Sequence, residues 1–259
     1  MTPQPEATGL SMVVNPSTPT LDVVFVHGFN GDALRTWRHK TARFSDDRQQ
    51  HSMLERPKKV PRLMSALSRH AGDSELVYWP KHLLPETLPS ARVFAYGYDT
   101  RVRHALDAPV SKNTVYDIAS DFLRTLEAER RSQPSRPLIF IAHSLGGIVV
   151  KELLRQSYGH QAHHSHLHRI YKATAAVLFF GTPHGGADPR GLCEHVVEQV
   201  ARAAGLTVNE QIVSTLLPNS ERLRELRDEF GPMARREQLD HLLLSRTVWC
   251  PVFGRQEGG

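Results

Sequence analysis

A chain of 259 residues is long enough for one large domain with a substantial core, and 40% hydrophobic with 23% charged residues excludes global disorder. The formal net charge of +5 is spread thinly; it favours acidic surfaces, including anionic lipid, but no dense basic stripe interleaved with aromatics is present, which excludes nucleic acid as a partner. Two cysteines, Cys193 and Cys250, make no disulfide framework and point to a reducing, intracellular and cytoplasmic home.

Residues 1–20 are rich in Pro, Thr and Ser, lack the basic start and apolar run of a secretory signal, and read as a flexible arm ahead of a single domain over 21–259. No apolar stretch approaches the length that spans a bilayer. Val23-Val24-Phe25-Val26 is a continuous apolar run ending at His27-Gly28, which suits a strand buried on both faces of a parallel sheet. A short helix is expected over 33–40. Residues 41–75 turn polar and read as an insertion, with a short helix near 63–68.

A second strand is expected over 92–98. The best helical pattern follows: Val115, Ile118, Phe122, Leu123 and Leu126 share one face, with Thr114 and Asp117 placed for a capping box. Residues 138–141 form the third strand, 147–157 a helix, and 158–169 a loop with five histidines. The fourth strand covers 175–180. Helices at 190–204, 208–216 and 220–230 fill a helical lid region over 188–245, and 248–253 reads as the fifth strand. Strands alternating with helices predict a doubly wound, mostly parallel α/β sheet.

The chemistry-bearing motif is Ile141-Ala142-His143-Ser144-Leu145-Gly146-Gly147. A serine hydroxyl needs a base to take its proton and donors to hold the oxyanion that forms. An apolar strand before Ser144 and a periodic helix after it are the context of a nucleophile elbow, in which the flanking positions, here Ala142 and Gly146, must be small. The Leu145 N–H then falls at a helix N-terminus, where an oxyanion would form. His27-Gly28-Phe29, at an early strand end, supplies the second oxyanion donor, the Phe29 N–H.

These segments resemble SERAC-type serine esterase domains. The resemblance is carried by Asp22 to Asp32, Thr36-Trp37, Trp79-Pro80-Lys81, Tyr96-Gly97-Tyr98-Asp99, Ile141 to Lys151 and Phe179 to Gly186, and it covers about residues 21–232. The same segments are similar to the hydrolase domain at the N-terminus of fungal receptor-like NTPase and repeat proteins, and more distantly to GPI inositol-deacylases. The resemblance implies an α/β-hydrolase acting on carboxylic or lipid esters through an acyl-enzyme on Ser144, without cofactor or metal. It also implies peripheral membrane contact, a mitochondrial or endoplasmic-reticulum association as the alternative location, and fused or partner signalling modules.

The family pattern places an acid after the fifth strand and then a histidine-bearing segment. Here Arg255 stands at the acid position, Glu257 is the nearest carboxylate, and no histidine follows His241. His241, beside Asp240, is the candidate base, although it precedes the strand; His143, His184 and a displaced acid at Asp188 are the other substitutes. The chain therefore reads as truncated at its C-terminus, the alternatives being a pseudohydrolase used for interaction or a fragment of a longer enzyme. The histidine run from His160 to His168 reads as a solvated loop rather than a metal site. The apolar faces at Leu192, Val196, Val197 and Val200, and at Leu223, Leu226 and Phe230, read either as a cover for an acyl chain or as packing on the sheet.

Overall fold

The computed structural model describes residues 5–40, 76–100, 103–104, 113–163, 165–184, 206–207, 212, 215, 220–236 and 243–246. The main sheet contains β1 (Gly9–Val14), β2 (Leu21–Val26), β5 (Ala91–Gly97), β7 (Leu138–His143), β8 (Thr174–Phe180) and β10 (Leu243–Arg246), in the order β1-β5-β2-β7-β8-β10. Only β1 runs antiparallel, against β5; the four other pairings are parallel. Two small ribbons lie outside it: β3 (Arg38–Lys40) with β4 (Leu76–Tyr78), and β6 (Arg103–His104) with β9 (Leu206–Thr207).

The unbroken apolar run of β2 is explained by its position between β5 and β7. Val24 and Val26 face one core, shared with the helices α3 (Val115–Arg130) and α4 (Leu145–Gly159). Val23 and Phe25 face a second core built with Trp37, Tyr78 and Ala33. Phe25 meets Trp37 and Trp79 edge-on, with ring centroids 5.1 and 5.0 Å apart. Because side chains alternate across a strand, burial of both faces requires apolar residues at every position.

Helix α3 starts with the expected capping box: the Asp117 N–H donates to Thr114 Oγ1, and the Thr114 N–H donates to Asp117 Oδ2. Its buried stripe contains all five apolar residues named from the sequence. Helices α1 (Trp79–His82) and α2 (Leu84–Thr87) are single turns, each with a proline in its first turn. Helix α5 (His168–Ala173) leads into β8, and α6 (Glu221–Arg236) packs on α4.

The structure differs from the sequence expectations in several places. The arm over 1–20 contains β1, paired to β5 from Gly9↔Gly97 to Val14↔Val93, because Met12 and Val13 belong to an edge strand that lacks a clean alternating signal. The helix expected over 33–40 is a 3-10 turn at Arg35–Trp37 running into β3. Asp32 Oδ1 accepts the Leu34 and Arg35 N–H groups there, and burial of Trp37 sets the turn. The histidine loop is largely helical: α4 runs to Gly159, a 3-10 turn covers His160–His163, and α5 begins at His168. His168 stacks on Tyr171 and hydrogen-bonds the Ser157 carbonyl through Nδ1, which makes it a packing residue.

Within the expected lid region, the Leu223, Leu226 and Phe230 face of α6 is buried in the core, and Arg222 reaches the fully buried Glu152 on α4 at 3.1 Å. The strand beside β8 is β10 at Leu243–Arg246; the expected strand over 248–253 lies outside the described residues, as do the insertion 41–75 and the helix 190–204. No helix among the described residues is long and apolar enough to cross a membrane.

Candidate active site

Strand β7 ends at His143, Ser144 makes the turn, and α4 begins at Leu145. Ser144 adopts φ 49° and ψ −121°, a left-handed backbone that L-residues rarely take. Its N–H donates to the Phe180 carbonyl of β8 at 2.8 Å, and the Gly147 N–H donates to the Ser144 carbonyl at 3.0 Å. The backbone of the turn is thereby fixed, while the Ser144 side chain does not cap the helix. The first amides of α4 have no intrahelical acceptor, so the Leu145 N–H is placed for an oxyanion.

The small flanking residues are required by contact. A Cβ on Gly146 would fall on the His27 and Val26 carbonyl oxygens, and a Cβ on Gly147 would fall on the Thr182 hydroxyl. A Cβ on Gly28 would lie 2.8 Å from both Ser144 Cβ and His143 Nδ1. The His27-Gly28 strand end is therefore packed directly against the Ser144 turn.

The turn that follows is closed by the Gly31 N–H donating to the Gly28 carbonyl at 3.1 Å, with Asn30 at φ 53°. Phe29, the candidate oxyanion donor, is half-buried against the helical core. His27 is fully buried and stacked on Tyr98, with ring centroids 4.2 Å apart. Burial pulls the His27 imidazole down to about 4, against the opposing effects of the Gly28 carbonyl and of Asp32. It is neutral at physiological pH and serves the turn rather than proton transfer.

Other ionisable groups lie nearby. His143, adjacent to Ser144, sits edge-on to Trp37 at 6.4 Å, and burial lowers its pKa. His184 packs edge-on against Phe179 at 4.8 Å and is lowered to about 4 by burial and by the charge of Lys151. Lys151, buried on α4, places its ammonium over the Phe179 and Phe230 rings at 5.5 and 5.2 Å; burial lowers it to about 8.

The structure thus brings Ser144, Leu145 and Phe29 to one end of the sheet. The candidate base His241, the candidate acid Glu257 and Asp188 lie outside the described residues. Tyr98 and Thr100, which hydrogen-bond the turn after β2, and the buried Lys151 carry no local motif in the sequence. A hydrogen-bonding role for Tyr98 depends on the neighbouring strand pairing, which has no local signature.

A mostly parallel sheet of this strand order, with a strained serine between β7 and α4 and a His-Gly strand end against it, defines an α/β-hydrolase fold. The chain is a homologue of the protein SERAC1. It is 25% identical to the Bos taurus protein over 231 residues, covering 88% of this chain and 30% of that protein. It is 27% identical to the Danio rerio protein over 230 residues, with the same shares of each. The chain therefore spans about 30% of the length of the curated relatives it matches. No protein-family model matches the sequence. Among solved structures, the chain is similar to the lipase BlEst2 from Bacillus licheniformis in its mature form. The identity there is 15% and the TM-score 0.46, over 86% of this chain and 65% of that one.

Proposed function

We propose that this chain is a serine-dependent hydrolase of carboxylic esters, with lipid esters as the substrate class. The observation that carries the reading is the Ser144 backbone, held at positive φ between a buried parallel strand and a helix N-terminus and wedged against Gly28. Backbone strain of this kind costs about 1–3 kcal/mol and persists where the surrounding structure enforces it, commonly at active sites.

In the proposed reaction Ser144 Oγ attacks the ester carbonyl carbon and its proton passes to a general base. The carbonyl oxygen becomes an oxyanion between the Leu145 and Phe29 N–H groups. Collapse expels the alcohol, which leaves with that proton, and Ser144 keeps the acyl group as an ester. Water then attacks the acyl-enzyme by the same route, releasing the acid and restoring the hydroxyl. No histidine follows the fifth strand to serve as the base of this scheme; His241 is the candidate substitute and Glu257 the candidate acid. SERAC-type likeness suggests action at a membrane surface, and the likeness to the hydrolase domain of fungal receptor-like proteins suggests fused or partner signalling modules.

The test is labelling of the folded chain with a fluorophosphonate probe beside a Ser144→Ala control. We expect labelling that the control abolishes. No labelling in a chain that melts cooperatively would overturn the hydrolase reading for this chain and leave the two alternatives of the sequence, a pseudohydrolase used for interaction or a fragment of a longer enzyme.

A further inference from the structure

The direction of the Phe29 N–H is set from outside its own turn. The Gly28 C=O and the Phe29 N–H belong to one peptide plane, and no peptide bond among the described residues is cis. In a trans peptide the two groups point in opposite directions, so whatever fixes the carbonyl also fixes the amide. The Gly28 oxygen is held from two sides: by the Gly31 N–H at 3.1 Å and by His27 Nδ1 at 2.9 Å.

The second of these holds only if the imidazole proton is on Nδ1. That choice is made by Tyr98. Its backbone N–H donates to His27 Nε2 at 3.1 Å, which requires Nε2 to be the acceptor and leaves the proton on Nδ1 to be donated to Gly28. The Tyr98 hydroxyl also donates to the His27 carbonyl at 2.7 Å, and its ring lies flat on the imidazole. Two residues on, Thr100 Oγ1 accepts the Asn30 N–H at 3.1 Å, holding the left-handed corner of the same turn.

We propose that Tyr98 is a positioning residue of the oxyanion hole: it fixes the His27 tautomer and carbonyl, and through the Gly28 carbonyl it aims the Phe29 N–H. This rests on the hydrolase reading for its purpose, but the positioning itself is independent of turnover. The backbone N–H that sets the tautomer is supplied by any residue but proline at this position; what the tyrosine side chain adds is the hydroxyl on the His27 carbonyl and the ring stacked on the imidazole. The groups facing His27 are Tyr98, Asp32 and His143, so titration of His27 is read with those three in view. Burial raises the Tyr98 hydroxyl far above its ordinary range, so it remains a donor.

The experiment is nitrogen-15 NMR of the full chain, with Tyr98→Phe and Tyr98→Leu variants, and fluorophosphonate labelling of each. The expected signature is a neutral Nδ1–H imidazole for His27 from pH 5 to pH 8. Tyr98→Phe, which loses only the hydroxyl, should shift the Phe29 amide resonance and slow labelling about fivefold. Tyr98→Leu, which also loses the stack, should slow labelling about fiftyfold, short of the ~100–1,000-fold cost of deleting an oxyanion donor outright. If Tyr98→Leu does not fold, Tyr98→Phe carries the test alone. An Nε2–H tautomer, an ordinary His27 titration near neutrality, or a Phe29 amide unmoved in the variants overturns the proposal. Wild-type protein that shows the tautomer and the amide shifts but never labels supports the positioning and overturns the hydrolase reading instead.

Discussion

The two ends of the central sheet are built on different physics. At the end where the parallel strands begin, Asp22 is fully buried and faces three guanidinium groups. Arg92 donates to it through Nε at 2.9 Å, Arg136 through Nη1 at 3.1 Å, and Arg130 completes the set. These residues come from the start of β2 and β5, the end of α3 and the loop before β7, so one carboxylate ties four segments together. At the opposite end, order comes from backbone contacts and uncharged hydrogen bonds: Gly28 and Gly146 let main chains touch, Ser144 and Asn30 hold positive φ, and His27, Tyr98 and Thr100 bond to the turn. Charge fixes where the strands start, and the other end is left to be shaped by close-packed peptides and left-handed corners. A site that must present bare N–H groups is better built from the second kind of material, because buried side-chain charges there would compete for the same donors.

The largest expected effect tests the charged end. Asp22→Ala leaves three guanidinium groups without their shared acceptor, and breaking a buried ion cluster in this way costs about 3–5 kcal/mol. Urea unfolding of wild type and variant should show that loss with little change in slope. A loss under about 1 kcal/mol would mean that the cluster is solvated and that the contrast between the two ends fails.

Much of the site end was legible in the sequence, and little of the charged end. Residues 142–147 announce the elbow because the small-residue requirement is local, and the capping box of α3 is legible because Thr114 and Asp117 are three residues apart. Asp22, Arg92, Arg130 and Arg136 are scattered over 115 positions and meet only after the strands pair. Strand β1 is not legible in the sequence because an edge strand of six residues flanked by Pro and Thr has no strong period. The 3-10 turn at Arg35–Trp37 cannot be told from a helix in the sequence because the Asp32 side chain, which accepts the Leu34 and Arg35 N–H groups, acts equally well as a helix cap or a turn former.

A smaller effect of opposite sign sharpens the comparison. The buried charge of Lys151, on the helix behind the elbow, is met among the described residues by two aromatic faces rather than by a carboxylate. Burial lowers this amine from 10.5 to about 8. Below pH 8 the folded chain must keep a proton on a buried group that the unfolded chain holds in water, so the ammonium is a cost there. Between pH 8 and 10.5 the unfolded state binds more protons than the folded state, and stability rises with pH across that window. The cost is at most about 3 kcal/mol, offset by about 1–2 kcal/mol of attraction to the rings. Lys151→Met should therefore stabilise the protein by about 1 kcal/mol at pH 7 and remove that rise in denaturation midpoint between pH 8 and 10.5. A destabilised variant would show that the ammonium has a partner as strong as those of Asp22.

The last test concerns Ser144 itself. If the elbow is strained, a residue without Cβ at that position should relax it, releasing part of about 1–3 kcal/mol. Glycine also gives the unfolded chain more freedom, which takes back about 0.4–1 kcal/mol. Ser144→Gly should thus be more stable than wild type by about 1 kcal/mol, whereas Ser144→Ala, which loses the hydroxyl and keeps the Cβ, should stay within about 0.5 kcal/mol. The difference between the two variants isolates the backbone term from any effect of the hydroxyl. Equal stabilities for glycine and alanine would mean that φ 49° carries no strain, and the elbow would then be an ordinary turn. A gain confined to glycine would mean that the site end holds its serine against its own backbone preference, as the Asp22 end holds the like charges of Arg92, Arg130 and Arg136 together around one carboxylate.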